Sequence, residues 1–158
     1  MRNIQYIVIH ESDTPSGRPH TAKDIDQWHT DRGFRRGDAA RKAFNPQLRA
    51  IGYHYVICID GTLQTGRAES EVPAAVQGYN SISINICMIG KGKYTAAQWQ
   101  SLQMCVSMLR QKYPGAAVKG HYQFDTAIAQ GKTCPDFDVP AWYASGMVPP
   151  AGHILERA

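Results

Sequence analysis

Six histidines and four cysteines are spread over 158 residues, and two of the histidines and one cysteine stand at the ends of predicted elements. His10 closes the first strand-like run, His121 lies in a short strand after a long helical pattern, and Cys134 follows in a polar loop. Imidazole nitrogen and thiolate sulfur are donors that zinc takes. A catalytic zinc site uses three protein ligands and leaves the fourth position to water. Spacing alone does not select these three, because six histidines offer many pairings and a lone strand-end histidine is commonly a hydrogen-bonded structural residue. Cys58 and Cys87 lie in apolar strand-like runs and Cys105 in a helical pattern. With no CxxC pair and few cysteines for a domain of this size, all four are read as reduced.

These positions need elements to carry them. Ile4 to His10 is rich in β-branched residues and runs into Ser12-Asp13-Thr14-Pro15-Ser16-Gly17, a strand ending at a loop. Thr21 with Asp24 has the form of a capping box, and Ile25 and Trp28 supply an apolar stripe for a helix over 22–31, stopped by Gly33. Residues 34–51 carry Arg35, Arg36, Arg41, Lys42 and Arg49 around Pro46 and read as a long exposed connection. Tyr53 to Ile59 is the next strand, and Asp60-Gly61 turns it into a hairpin with Thr62 to Arg67. Ile82 to Ile89 reads as a buried central strand. Thr95 and Gln98 form a second capping box, and Trp99, Leu102, Val106 and Leu109 make one apolar helix face closed by Pro114-Gly115. Val118 to Tyr122 is a short strand, and Pro140-Ala141-Trp142-Tyr143 begins a last short helix. Strands and helices interleave, which predicts an α/β single domain with a mixed central β-sheet flanked by helices.

Composition bounds the function. A chain 43% hydrophobic and 19% charged is globular, which excludes a disordered tail or a coiled coil. No apolar run approaches the ~20 residues that span a bilayer, so no membrane insertion is expected. The formal charge of +4 suits an anionic partner, such as a cell-wall polymer or nucleic acid, without identifying one.

Six short motifs sharpen this. Val-Ile-His-Glu-Ser-Asp-Thr-Pro at 8–15, Ile-Gly-Tyr-His-Tyr-Val-Ile at 51–57, Asp-Gly-Thr at 60–62, Gly-Tyr-Asn at 78–80, Gly-His at 120–121 and Lys-Thr-Cys-Pro-Asp-Phe-Asp at 132–138 occur in that order. Together they resemble the zinc-dependent N-acetylmuramoyl-L-alanine amidases of the type 2 family, which includes short phage lysozyme-amidases and peptidoglycan recognition proteins. The resemblance covers residues 4–143. It implies a catalytic domain over 1–143 followed by a tail over 144–158, with peptidoglycan or a muropeptide as substrate.

The resemblance also implies roles. His10, His121 and Cys134 match the family's zinc ligands. A thiolate and two neutral imidazoles leave such a site net positive, so that it acidifies bound water and polarises a carbonyl. Tyr53 matches the family's active-site tyrosine. With an ordinary pKa of ~10, it suits orienting water better than serving as a base. Lys132, two residues before the cysteine, matches the catalytic lysine that stabilises an oxyanion. His54 is expected to be structural, since alternation sends it away from Tyr53. Asp138 is either an outer partner of the site or a helix cap. Three departures stand out. Ala74-Ala75 replaces a frequent histidine. Asn85 replaces a usual glycine, with consequences for how closely substrate or backbone approaches. The segments 34–51 and 122–133 are longer than in short phage enzymes and are candidates to line the groove.

Two rival readings are a module that binds muropeptides without cutting them and a nucleic-acid or polymerase-binding regulator. Retention of Cys134, Tyr53 and Lys132 favours the enzyme. No recognised nucleic-acid motif supports the second, so no specific nucleic-acid partner is expected. The setting implied is a monomeric phage or prophage endolysin, cytoplasmic when made and acting on the wall after a membrane lesion. A recycling amidase acting on cytoplasmic wall fragments is the alternative.

Overall fold

Every residue from Ile7 to Ile9 is fully buried, because the strand that holds them lies inside a sheet covered on both faces. The structure is a computed structural model describing residues 2–156. Strand β1 (Tyr6–Glu11) pairs in parallel with β4 (Ser83–Met88) on one side, with Tyr6 opposite Ser83 and His10 opposite Cys87. On the other side it pairs in parallel with β6 (Ala117–Gly120). Strand β2 (Tyr55–Ile57) extends the sheet in parallel beyond β4, and β3 (Leu63–Thr65) closes that edge antiparallel to β2. The order is β3-β2-β4-β1-β6, a mixed sheet as expected. Between β2 and β3, Gly61 takes φ 87°, a left-handed turn conformation natural to glycine, and Asp60 Oδ1 accepts from Thr62 N.

Helices α1 (Ala22–Asp31) and α2 (Asp38–Ala43) connect β1 to β2, and α3 (Ala96–Lys112) connects β4 to β6. Helix α3 starts at the expected box: Thr95 Oγ1 accepts from Gln98 N at 3.1 Å, and Gln98 Oε1 accepts from Thr95 N at 2.9 Å. Its apolar stripe of Trp99, Leu102, Val106 and Leu109 packs with Ile7, Ile9, Ile84, Ile86 and Met88. Strand alternation sends Ser83, Asn85 and Cys87 to the opposite face, with Val8 and His10. Two short helices, α4 (Asp125–Ala129) and α5 (Val139–Ala144), follow β6. No described helix is long and apolar enough to cross a membrane.

Several local expectations shift. The strand read over 53–59 shortens to Tyr55–Ile57, although Tyr53 and His54 still bond through their backbones to Arg67, Gly66 and Asn85. The strand read over 118–122 ends at Gly120, and His121 begins a 3₁₀ turn, His121–Gln123. Residues 34–51 are not a wholly exposed connection. They contain α2, and the Arg36 side chain is fully buried, with Nε and Nη2 donating to Glu71 at 3.0 and 2.8 Å. After 143 the chain is tied back to the body. β7 (Ile154–Leu155) pairs in parallel with β5 (Tyr94–Thr95), and Trp99 Nε1 donates to His153 O at 3.0 Å.

Candidate metal centre

Adjacent parallel strands deliver the first two donors. His10 is the next-to-last residue of β1, and His121 follows the end of its neighbour β6, so both imidazoles emerge at the carboxyl edge of the sheet. That edge is where open α/β sheets bind ligands. Gly120 is required for this exit, since a Cβ there would meet Tyr122 Cε1 at 2.6 Å and Val139 Cγ2 at 2.9 Å. Cys134 is fixed from both ends: Tyr122 N donates to its carbonyl at 3.0 Å, and Glu11 N donates to Sγ at 3.0 Å. The His10 and His121 rings lie 4.7 Å apart, and a ligand atom from each of His10, His121 and Cys134 lies within 4.8 Å of the others. Among the described residues no other histidine, cysteine or carboxylate cluster of this kind occurs.

The environment keeps both imidazoles neutral. Burial, reinforced by His121, pushes His10 down to about 3, and burial with Lys132 nearby pushes His121 down to about 4. Burial drives the Cys134 thiol upward, only partly opposed by the Glu11 N–H and Lys132, so the sulfur ionises only with a cation beside it. Two neutral imidazoles and one thiol converging in this way form a donor set that suits a borderline-soft divalent metal such as zinc.

His121 and Cys134 line a groove of about 690 Å³ together with Glu11, His29, Tyr53 and Lys132, and His10 lies buried behind them. Tyr53 is placed by a clamp on the chain just before it. Asp26 Oδ1 accepts from Ala50 N and Ile51 N, His29 Nδ1 accepts from Gly52 N, and Arg67 Nε donates to Ile51 O. Its ring lies 5.0 Å from that of His10, and burial, with the thiols of Cys87 and Cys134 adding, holds its phenol well above the ordinary value. Lys132 is exposed on the groove wall, its backbone N–H donating to Ala127 O.

Residues 1–137 match the family described as N-acetylmuramoyl-L-alanine amidase. The chain belongs to that family. It is 33% identical to the endolysin of Escherichia phage T7 over 145 residues, which cover 87% of this chain and 83% of that one. It is 34% identical to the endolysin of Enterobacteria phage T3, with the same coverage. Among solved structures it resembles the N-acetylmuramoyl-L-alanine amidase LysC from Clostridium intestinale, at 26% identity and a TM-score of 0.70. That match covers 90% of this chain and 83% of LysC.

Within this amidase fold Tyr53, His121, Lys132 and Cys134 line one groove, and His10 lies buried behind it, its ring 4.7 Å from that of His121 and 5.0 Å from that of Tyr53. His54 lies elsewhere, buried and spent on the backbone: its Nδ1 accepts from Asn85 N at 3.0 Å. Asp138 is the cap of α5, accepting from Ala141 N. Asn85 does not face the groove; it is fully buried behind His10, with Oδ1 2.7 Å from Nε2. Of the two longer segments, 122–133 lines the groove through Gln130, Gly131, Lys132 and Thr133, whereas 34–51 contributes only Phe34. Ala74 and Ala75 do line it.

Glu11 went unassigned in the sequence although it stands beside His10 in a quoted motif. The residue is 5% exposed, and its carboxyl accepts from Gly92 N and Tyr94 Oη at 3.1 Å each. Burial and the neighbouring Asp136 push it up to about 8, so it stays protonated at neutral pH. Only its place in the strand hinted at this, since a carboxyl ending a buried strand must find partners.

Proposed function

We propose that this amidase hydrolyses the amide between N-acetylmuramic acid and L-alanine in peptidoglycan, with zinc held by His10, His121 and Cys134. One observation carries the reading: two neutral imidazoles and a thiol converge beside an open groove that His121 and Cys134 line, in a chain of this family. Zinc bound there supplies Lewis acidity toward water and the lactyl carbonyl. The Lys132 ammonium stabilises the oxyanion that forms as water adds to the carbonyl carbon. Tyr53, kept neutral by burial, orients the attacking water through its hydroxyl and does not take its proton. Breaking the C–N bond leaves a lactyl carboxylate on the glycan and a stem peptide with a free L-alanine amine.

The endolysin relatives favour a phage or prophage setting in which the protein is made in the cytoplasm and reaches the wall through a membrane lesion. The test is a purified-wall assay that follows newly exposed alanine amines. Release is expected to stop on chelation and return with zinc. Cys134→Ser should cut it by more than about 100-fold, beyond the loss typical for an outer-shell partner, while the fold persists. Release that continues through both treatments rules the reading out.

A further inference from the structure

We propose that Asn85 is a positioning residue that fixes the tautomer of His10. Its carboxamide oxygen accepts from Nε2–H, and Nδ1 is left as the lone-pair nitrogen for the metal. The inference rests on the zinc reading above and adds a determinant to it.

A histidine that binds a metal through one ring nitrogen usually donates the other N–H to an outer acceptor, which sets ring orientation and tautomer. Here that acceptor is a side chain with no freedom of its own. His10 is 1% exposed and Asn85 0%, so no bulk water competes for the 2.7 Å contact between Nε2 and Oδ1. The Asn85 amide nitrogen donates to the buried Ser83 Oγ at 2.9 Å. Its backbone is gripped from the neighbouring segment: Asn85 N donates to His54 Nδ1 and His54 N donates to Asn85 O, each at 3.0 Å. Because His54 Nδ1 accepts, Nε2 carries that ring's proton and donates to Glu71 O at 3.0 Å. The chain of bonds therefore runs from Glu71 through His54 and Asn85 to His10.

A flipped amide would present its NH₂ to His10 and force the proton onto Nδ1, closing that nitrogen to a metal. Only the orientation with oxygen toward His10 serves a ligand. Asn85 acts on the reaction through His10 and touches neither substrate nor the reacting atoms.

The test uses the full chain, zinc-loaded, with nitrogen-15 spectra of the imidazole rings and zinc affinity from competition with a chromophoric chelator. In the wild type, His10 Nε2 should carry the proton and Nδ1 the metal. A protonated Nδ1 overturns the proposal. Asn85→Leu, of similar volume but without the acceptor, should weaken zinc binding by about 10–100-fold. Asn85→Asp, which keeps an acceptor, should recover most of the loss. The proposal is overturned if Asn85→Leu binds zinc as tightly as the wild type, or if Asn85→Asp binds it as weakly as Asn85→Leu. If Asn85→Leu fails to fold, the wild-type ring spectrum still decides. A wild type that takes up no zinc sinks the metal reading itself; a wild type that binds zinc no better than Asn85→Leu sinks only the role of Asn85.

Discussion

The two faces of the central sheet solve burial differently, one wholly apolar and the other threaded by a polar network. Toward α3, Ile7, Ile9, Ile84, Ile86 and Met88 meet Trp99, Leu102, Val106 and Leu109 in a packed apolar layer, with Trp99 and Phe137 ring centroids 4.8 Å apart. On the other face, between apolar clusters around Val56 and Cys87 and around Val8, the residues His10, Asn85, Ser83 and His54 are equally buried but polar, each joined to a partner. The first face supplies stability through area removed from water, a non-directional effect. The second supplies orientation, because a buried polar group is stable only where its partner sits. Damage to the two faces should therefore be felt in different measurements.

The largest effect is expected on the apolar face. Leu102→Ala removes a fully buried side chain and should cost about 2–5 kcal/mol in chemical denaturation. Alanine release per folded molecule should stay unchanged. A fall in specific activity at intact stability would break the division of labour. Next comes Lys132→Ala on the groove wall, expected to lower turnover by about 10²–10³-fold, the loss typical for one oxyanion donor. Stability and zinc content should be preserved, because the side chain is exposed. Unchanged turnover would remove Lys132 from the reaction.

The smallest effect is one of acidity. Burial lowers His29 and His54 from 6.5 to about 4, with nearby arginine charges contributing. Each therefore binds fewer protons folded than unfolded. Their contribution is complete above pH 6.5 and lost as pH falls from 6.5 toward 4. Thermal melting should show the midpoint dropping across that window, and less so for His54→Gln. A midpoint that stays flat from neutral pH down to about 4 would mean these rings are not buried neutral.

The elements with local signals were the legible ones. Helices α1 and α3 follow from boxes at Thr21 and Thr95 and a period that repeats within a few residues, and the turn between β2 and β3 follows from Asp60-Gly61 alone. The candidate ligands were legible by residue type and family likeness. Their surroundings were not, because the partners are remote: His10 and Asn85 are separated by 75 residues, and Arg36 and Glu71 by 35. Arg36 looked like surface charge because nothing local marks an arginine whose guanidinium will be met by backbone carbonyls. The short pairing of β5 with β7 was hidden for the same reason, two residues on each side carrying no period of their own.

The bond from Glu11 N to Cys134 Sγ spans 123 positions of the chain. A polypeptide still being synthesised carries its two histidines before its sulfur arrives. On the zinc reading, hydrolytic capacity appears only once residue 134 has been added, and products cut short before it are born inert toward peptidoglycan.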